Sequence, residues 1–166
     1  MKRKFFRCAA VFILFLLFFN NSISGQTNPN SIYFEALGNG VLYSINYDRL
    51  ITENFGGRIG IMYLSSLDFF FVSAENFIIV PVMVNYFIGN KHKLELGCGI
   101  IYASADNAEA FEFGSGESSS AIGGTATIGY RYQLKEGGFL FRVGFTPIFG
   151  EGGFAPSAGI SLGFSF

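Results

Sequence analysis

The sequence predicts an all-β fold, an eight-stranded antiparallel up-and-down transmembrane β-barrel. Three observations predict it. Apolar residues alternate with small or polar ones through eight segments of about ten residues, the length a tilted strand needs to cross a bilayer. Half of the 166 residues are apolar, yet beyond the N-terminal stretch no apolar run has helical length. The chain holds 22 Phe, 22 Gly and 8 Tyr but no Trp, a composition that suits strands and tight turns better than helices.

The N-terminus reads as a secretory signal peptide over residues 1–25, which leaves 26–166 as a single barrel domain. Lys2, Arg3, Lys4 and Arg7 form a positive n-region. Cys8 to Phe19 is an apolar core shorter than the ~20 residues of a membrane helix. Ser22-Ile23-Ser24 then supplies small residues for cleavage after Ser24 or, second, after Gly25. Removing four basic and no acidic residues takes the net charge from −1 to −5, which excludes nucleic acid as a partner by charge. Cys8 leaves with the signal, so Cys98 is alone and has no internal disulfide partner. Phe6 and Arg7 before Cys8 are not a lipoprotein cleavage context, so no lipid anchor is expected.

The eight expected strands follow in order. Ser31–Gly38 sets Ile32, Phe34 and Ala36 against Tyr33, Glu35 and Leu37. Gly40–Leu50 sets Val41, Tyr43, Ile45 and Tyr47 against Leu42, Ser44, Asn46 and Asp48. Gly57–Leu64 alternates Ile59, Ile61 and Tyr63 with Arg58, Gly60 and Met62. In Phe77–Ile88 the apolar face is Ile78, Val80, Val82, Val84 and Tyr86, and Pro81 removes a ladder donor, so a bulge or weakened bond is expected there. Lys93–Tyr102 opposes Leu94, Leu96, Cys98 and Ile100 to Glu95, Gly97, Gly99 and Ile101. Ala121–Gln133 opposes Ile122, Ala126, Ile128, Tyr130 and Tyr132 to Thr125, Thr127, Gly129, Arg131 and Gln133. Gly138–Phe149 carries Phe139, Phe141, Val143 and Phe145 against Leu140, Arg142, Gly144 and Thr146. Pro156–Phe166 closes the series with Ala158, Ile160, Leu162, Phe164 and Phe166 against Ser157, Gly159, Ser161, Gly163 and Ser165.

Connections alternate in length. Thr52–Gly56, Gly89–His92 and Leu134–Gly137 are tight, as periplasmic turns are; Ser65–Asn76, Ala103–Ser120 and Gly150–Ala155 are longer, as outward loops are. Gly38-Asn39-Gly40 is an outer connection as tight as a hairpin turn. The longer loops hold Asp68, Glu75, Asp106, Glu109, Glu112, Glu117 and Glu151 with no Lys or Arg, whereas Lys91, Lys93 and Lys135 fall in the tight turns with Glu53 and Glu136. Tyr47, Tyr86, Tyr130, Tyr132, Phe139 and Phe166 gather at the periplasmic rim as an interfacial girdle.

A soluble lipocalin-like binding barrel would alternate too, with its apolar face inward. The Gly, Ser and Thr of the non-apolar face suit a crowded lumen better than a solvated exterior. Its charges are few and balanced, Glu35, Asp48 and Glu95 against Arg58, Arg131 and Arg142. The apolar face carries no charge at mid-depth, where one costs about 2–4 kcal/mol in lipid, and Arg49 lies at a strand end where it can snorkel. The membrane barrel is therefore the reading adopted.

The segments Tyr43-Ser44-Ile45-Asn46-Tyr47-Asp48-Arg49, Gly129-Tyr130-Arg131-Tyr132-Gln133, Gly138 to Pro147 and the terminal Phe166 resemble the small eight-stranded outer-membrane β-barrel proteins of Gram-negative bacteria. The resemblance covers the whole mature chain. It implies the cell outer membrane as location and outer-membrane lipid and lipopolysaccharide as surroundings. It also implies recognition of a terminal aromatic strand by the barrel-assembly machinery, a role that falls on Phe164 and Phe166. It specifies a barrel and no activity.

The six interior charges are read as a structural network, because mutual pairing avoids the several kcal/mol of an unpaired buried charge. Catalysis is not expected: the sole histidine, His92, lies in a tight turn with no serine beside it for nucleophilic work. No cofactor or metal site is expected. The acids of residues 103–120 match no calcium loop, Cys98 reads as a small lipid-facing hydrophobe, and the glycine pairs open no helix that could cradle phosphate. Phe69 to Val72 and Ala110 to Phe113 put apolar groups in outward segments, as strand extensions, as a sticky surface for a partner or as a gate for a small apolar solute. The expected function is structural or in surface interaction, non-enzymatic and monomeric, with an extracellular partner that the sequence does not name. The alternative is loop-gated passage of small hydrophobic molecules; eight strands leave no wide pore.

Overall fold

The structure is a computed structural model that describes residues 29–69, 72–106, 118–150 and 153–166. The signal segment, Glu109, Glu112, Glu117, Glu151, Phe70, Phe71 and Ala110 to Phe113 lie outside the described residues. The first half of the chain forms β1 (Asn30–Leu37), a single 3-10 turn (Gly38–Gly40), β2 (Tyr43–Leu50), β3 (Phe55–Phe69), β4 (Val72–Gly89) and β5 (His92–Asp106). The second half forms β6 (Ser118–Gln133), β7 (Gly138–Phe145), β8 (Ile148–Gly150), β9 (Gly153–Ala155) and β10 (Ala158–Ser165).

These strands make a closed, all-antiparallel barrel of eight staves. β1 pairs with β2 on one side and with β10 on the other, so no edge is left open. β7 and β8 form one stave and β9 and β10 another. Pro147 and Pro156 interrupt each pair because neither has an N–H to give, but the register continues: Ala126 N donates to Pro147 O (3.2 Å) and Thr146 N to Ser157 O (2.7 Å).

Burial follows the alternation. Ile32, Phe34, Ile45, Ile59, Val84, Leu94, Ile100, Ile128, Phe145, Ile160 and Leu162 are exposed on the outside, while Glu35, Ser44, Asn46, Asp48, Arg58, Asn85, Glu95, Arg131, Arg142 and Ser161 are buried inside. This is the reverse of a soluble binding barrel. Cys98 is exposed on the outer, apolar face.

Several boundaries differ from the sequence reading. β3, β4, β5 and β6 span 15, 18, 15 and 16 residues, whereas β1, β2, β7 and β10 span 8 each. The expected Ser65–Asn76 loop is therefore mostly strand, Phe69 closing β3 and Val72 opening β4. β3 to β6 thus run on beyond the Gly38–Gly40 turn that joins β1 to β2. Ladder hydrogen bonds sustain them where side-chain patterning gives out. A register shift of β4 against β5 lies between Glu75 and Ile78, where Asn76 has φ of 49°.

Pro81 does not bulge β4. The β3–β4 ladder is instead paired up to Ile59↔Val82 and again from Met62↔Ile79, which leaves Gly60 and Ile61 unpaired opposite Val80 and Pro81. The missing N–H weakens the ladder without bending it. β2 begins at Tyr43, not Gly40, because the first outer connection is no plain hairpin. Leu37 (φ 60°), Gly38 (φ 71°) and Val41 (φ 67°) all adopt left-handed backbone. Leu42 N reaches Gly40 O at 2.8 Å around Val41, a strained γ-turn for a β-branched residue. The contortion folds Gly38, Asn39 and Gly40 into the barrel mouth, where all three are buried.

Candidate functional site: a charged chain in the lumen

Inward positions on six staves place six charges in the lumen: Glu35 (β1), Asp48 (β2), Arg58 (β3), Glu95 (β5), Arg131 (β6) and Arg142 (β7), all at most 4 % exposed. They form one chain of alternating sign, Asp48–Arg131–Glu95–Arg142–Glu35–Arg58. Arg131 Nη1 lies 2.8 Å from Asp48 Oδ2 and 3.7 Å from Glu95 Oε2. Arg142 grips Glu95 with two bonds of 2.8 Å, Nε to Oε2 and Nη2 to Oε1. Its Nη1 reaches Glu35 Oε1 at 3.1 Å, and Arg58 Nη2 meets Glu35 Oε2 at 2.7 Å. Each inner member thus touches two opposite charges, and the two-pronged Arg142–Glu95 pair is the strongest geometry of the set.

Neutral groups complete the chain. Arg142 Nη1 donates to Ser161 Oγ (3.1 Å), bringing in β10, and Arg58 Nε donates to Asn46 Oδ1 (3.0 Å). Arg131 Nε donates to Gln133 Oε1 (2.9 Å), and Gln133 Nε2 to Ser31 Oγ (3.1 Å). The Tyr33 ring lies among three guanidiniums, with carbon-to-centroid distances of 5.0 Å for Arg142, 5.9 Å for Arg58 and 6.0 Å for Arg131. The negative face of an aromatic ring fills space there while attracting cations.

The chain lies between two apolar layers. Leu50, Phe87 and Leu140 are fully buried at the end where Asn30 pairs with Phe166. Met62, Ile79 and Ile101 cluster toward the other mouth. At this burial the charges interact in a poorly screened medium in which pairing is strong and isolation is costly.

Two members were not anticipated. Asn39, from the inserted turn, donates to Thr125 Oγ1 (2.5 Å) and accepts from Arg58 Nη2 (2.9 Å), tying the outer turn to the charge chain. A lone polar residue between two glycines gave no hint of this. Lys93 is a correction: expected in a tight turn, it is buried in the lumen at 3 % exposure, with Nζ 3.4 Å from Gln133 Oε1 and 5.5 Å from the Phe87 ring. Its parity with Glu95 was the available clue. Among the described residues the lumen therefore holds four cations against three acids.

The other candidates lie apart from this chain. Phe164 and Phe166 are exposed on the outer face, 55 % and 50 %, beside the barrel seam where Asn30 and Phe166 exchange backbone bonds of 3.1 and 2.8 Å. His92 sits outside with Nδ1 2.7 Å from Tyr130 Oη. Asp106 accepts from Asn76 Nδ2 at 3.2 Å, and among the described residues no cluster of His, Cys, Asp and Glu could hold a metal.

Comparison with solved structures places this architecture. The fold is that of the eight-stranded outer-membrane β-barrels. The N-terminal β-barrel domain of Pseudomonas aeruginosa OprF superposes with a TM-score of 0.61 at 17 % identity, over 84 % of this chain and 100 % of that one. Ail, the attachment invasion locus protein of Yersinia pestis, gives a TM-score of 0.52 in complex with the heparin analogue sucrose octasulfate and 0.51 without it. Both Ail comparisons are at 12 % identity and again cover 84 % of this chain and 100 % of the other. At these identities the likeness is one of fold. No protein-family model and no curated protein matches the chain.

Proposed function

We propose that this chain is an integral outer-membrane β-barrel with a closed, non-conducting lumen, that it is not an enzyme, and that it acts in envelope structure or surface interaction through the hairpins above its outer rim. The observation that carries the reading is the inside-out barrel itself: an apolar exterior around a lumen stitched shut by alternating charges between two apolar layers. An exterior of this kind is stable in hydrocarbon and would drive a soluble chain to aggregate. The lumenal chain joins staves far apart in sequence, as a structural network should, and presents no group to a reactant.

The working surface is the pair of long hairpins, β3–β4 and β5–β6. From Ser65 to Asn76, Ala103 to Ser120 and Gly150 to Ala155 the chain has seven acids and no Lys or Arg. Their partner is therefore neutral or basic, in contrast to the sulfated polyanion with which Ail was crystallised. The two apolar layers argue against passage of small hydrophobic molecules through the lumen.

The test has two parts. Mature protein from the outer-membrane fraction should change electrophoretic mobility between unboiled and boiled samples and should open no channel in planar bilayers. A soluble periplasmic protein without the shift refutes the barrel reading, and steady conductance refutes the closed lumen. Excision of residues 107–117, leaving β5 and β6 whole, should abolish surface binding while preserving the mobility shift.

A further inference from the structure

On the outer wall, at the end where Asn30 pairs with Phe166, a groove crosses from β5 to β6 lined by His92, Lys93, Leu94, Ile128, Gly129 and Tyr130. Strand pairing sets its polarity. His92 opposes Tyr132 and Leu94 opposes Tyr130, with Leu96 opposite Ile128 one step deeper, so the groove runs from a polar mouth at the rim to an apolar floor toward mid-membrane. Lys93 lends only backbone, its ammonium being turned into the lumen toward Gln133.

The mouth is built for an anion. His92 Nδ1 and Tyr130 Oη are 2.7 Å apart. With Tyr130 donating, Nε2 carries the ring proton and is free to donate outward; with the ring protonated, both nitrogens donate. Lys91 Nζ stands 5.2 Å from the centre of the Tyr132 ring, and the His92 ring meets Tyr132 edge-on at 5.4 Å. Tyr132 thus lies against both the Lys91 ammonium and the His92 imidazole, which together offer two donors at the rim, one of them cationic. Lys135 and Glu136 in the neighbouring turn offset one another in charge.

From this juxtaposition we propose that the β5–β6 groove is a site for an anionic phospholipid of the periplasmic leaflet. The phosphate lies against Lys91 and His92, and one acyl chain lies over Leu94 and Ile128. The proposal rests on the membrane reading above. Charge complementarity and the amphipathic run of the groove select this occupant: a basic mouth at headgroup depth leading into an apolar floor fits a lipid and not a peptide.

The experiment uses the folded mature barrel in non-ionic detergent, mixed with phosphatidylglycerol and phosphatidylcholine of matched chains, with retained lipid read by native mass spectrometry. Phosphatidylglycerol should be retained preferentially. Lys91→Gln with His92→Gln should lower its retention about tenfold, equivalent to ~1.4 kcal/mol. Ile128→Trp, which fills the apolar end and leaves the charges intact, should lower it as well. Equal retention of the two lipids, or unchanged retention in both variants, overturns the proposal. So does saturable binding of inorganic phosphate that Ile128→Trp leaves untouched, which would make this a free-anion site. The mobility shift on boiling is the control in every variant: its presence with no lipid preference sinks this inference alone, and its absence in the parent chain sinks the barrel reading beneath it.

Discussion

Removing Glu95 is the sharpest perturbation of the lumen. Its carboxylate is central in the charge chain, held by two 2.8 Å bonds from Arg142 and by Arg131 at 3.7 Å. Glu95→Ala leaves Arg142 Nε and Nη2 without these acceptors in the buried lumen. Glu35 and Asp48 then stand against Arg58, Arg131, Arg142 and Lys93. Hydrogen bonds to charged groups are worth about 1.5–3 kcal/mol each, so two give roughly 3–6, and breaking a buried pair from one side costs about 3–5 kcal/mol. The overlap, about 3–5 kcal/mol, is the expected loss. At a urea dependence of about 1–3 kcal/mol per molar, the midpoint should fall by roughly 1–5 M. The assay is equilibrium urea unfolding in lipid vesicles, with the folded fraction read from unboiled gel mobility, because the chain has no Trp to report by fluorescence. Arg131→Ala should fall comparably, since it strands Asp48, and conductance should stay at background in both. Unchanged midpoints in both variants would refute the structural role of the chain. A new or lost conductance would move it toward a solute path.

Four further outcomes follow from the same geometry. Lys93→Met removes the surplus lumenal cation, whose side-chain hydrogen bond is a 3.4 Å contact to Gln133, and should leave the urea midpoint unchanged or raised; a loss beyond about 1 kcal/mol would contradict the charge count. Asn39→Ala deletes bonds to Thr125 and Arg58 and should cost about 1–3 kcal/mol by the same titration, and an unaltered midpoint would show the inserted turn to be incidental. Gly159→Ala should destabilise more than a surface exchange, because an added Cβ would lie 2.9 Å from Gly38 Cα and 3.0 Å from Glu35 Oε1; full tolerance would mean that the seam is looser than described. Cys98, exposed on the apolar face, should react in vesicles with a membrane-soluble maleimide and resist a charged one until the barrel is boiled, and the opposite order would put this face in water.

Period-two alternation was legible because it is a local property. Strand parity decides which face each side chain takes, and the chain's amino acids make one face apolar, so the barrel class, the strand count, the outward apolar wall and the inward positions of Glu35, Asp48, Arg58, Glu95, Arg131 and Arg142 all follow from neighbours along the chain. The same parity, followed two residues below Glu95, would have put Lys93 inside; assigning it to a turn by its neighbours Lys91 and His92 hid it. Closure decided the rest. Which acid meets which arginine depends on the stagger of staves brought together over sequence separations of 23 for Arg58 with Glu35 and 107 for Arg142 with Glu35. No local pattern carries that information. Asn39 reaches the lumen through left-handed backbone at Leu37, Gly38 and Val41, conformations that only the packed mouth of the barrel can impose on a leucine and a valine. The reach of β3 to β6 beyond the short β1–β2 hairpin likewise came from ladder pairing between long hairpins, which continues where the side-chain pattern no longer distinguishes strand from loop.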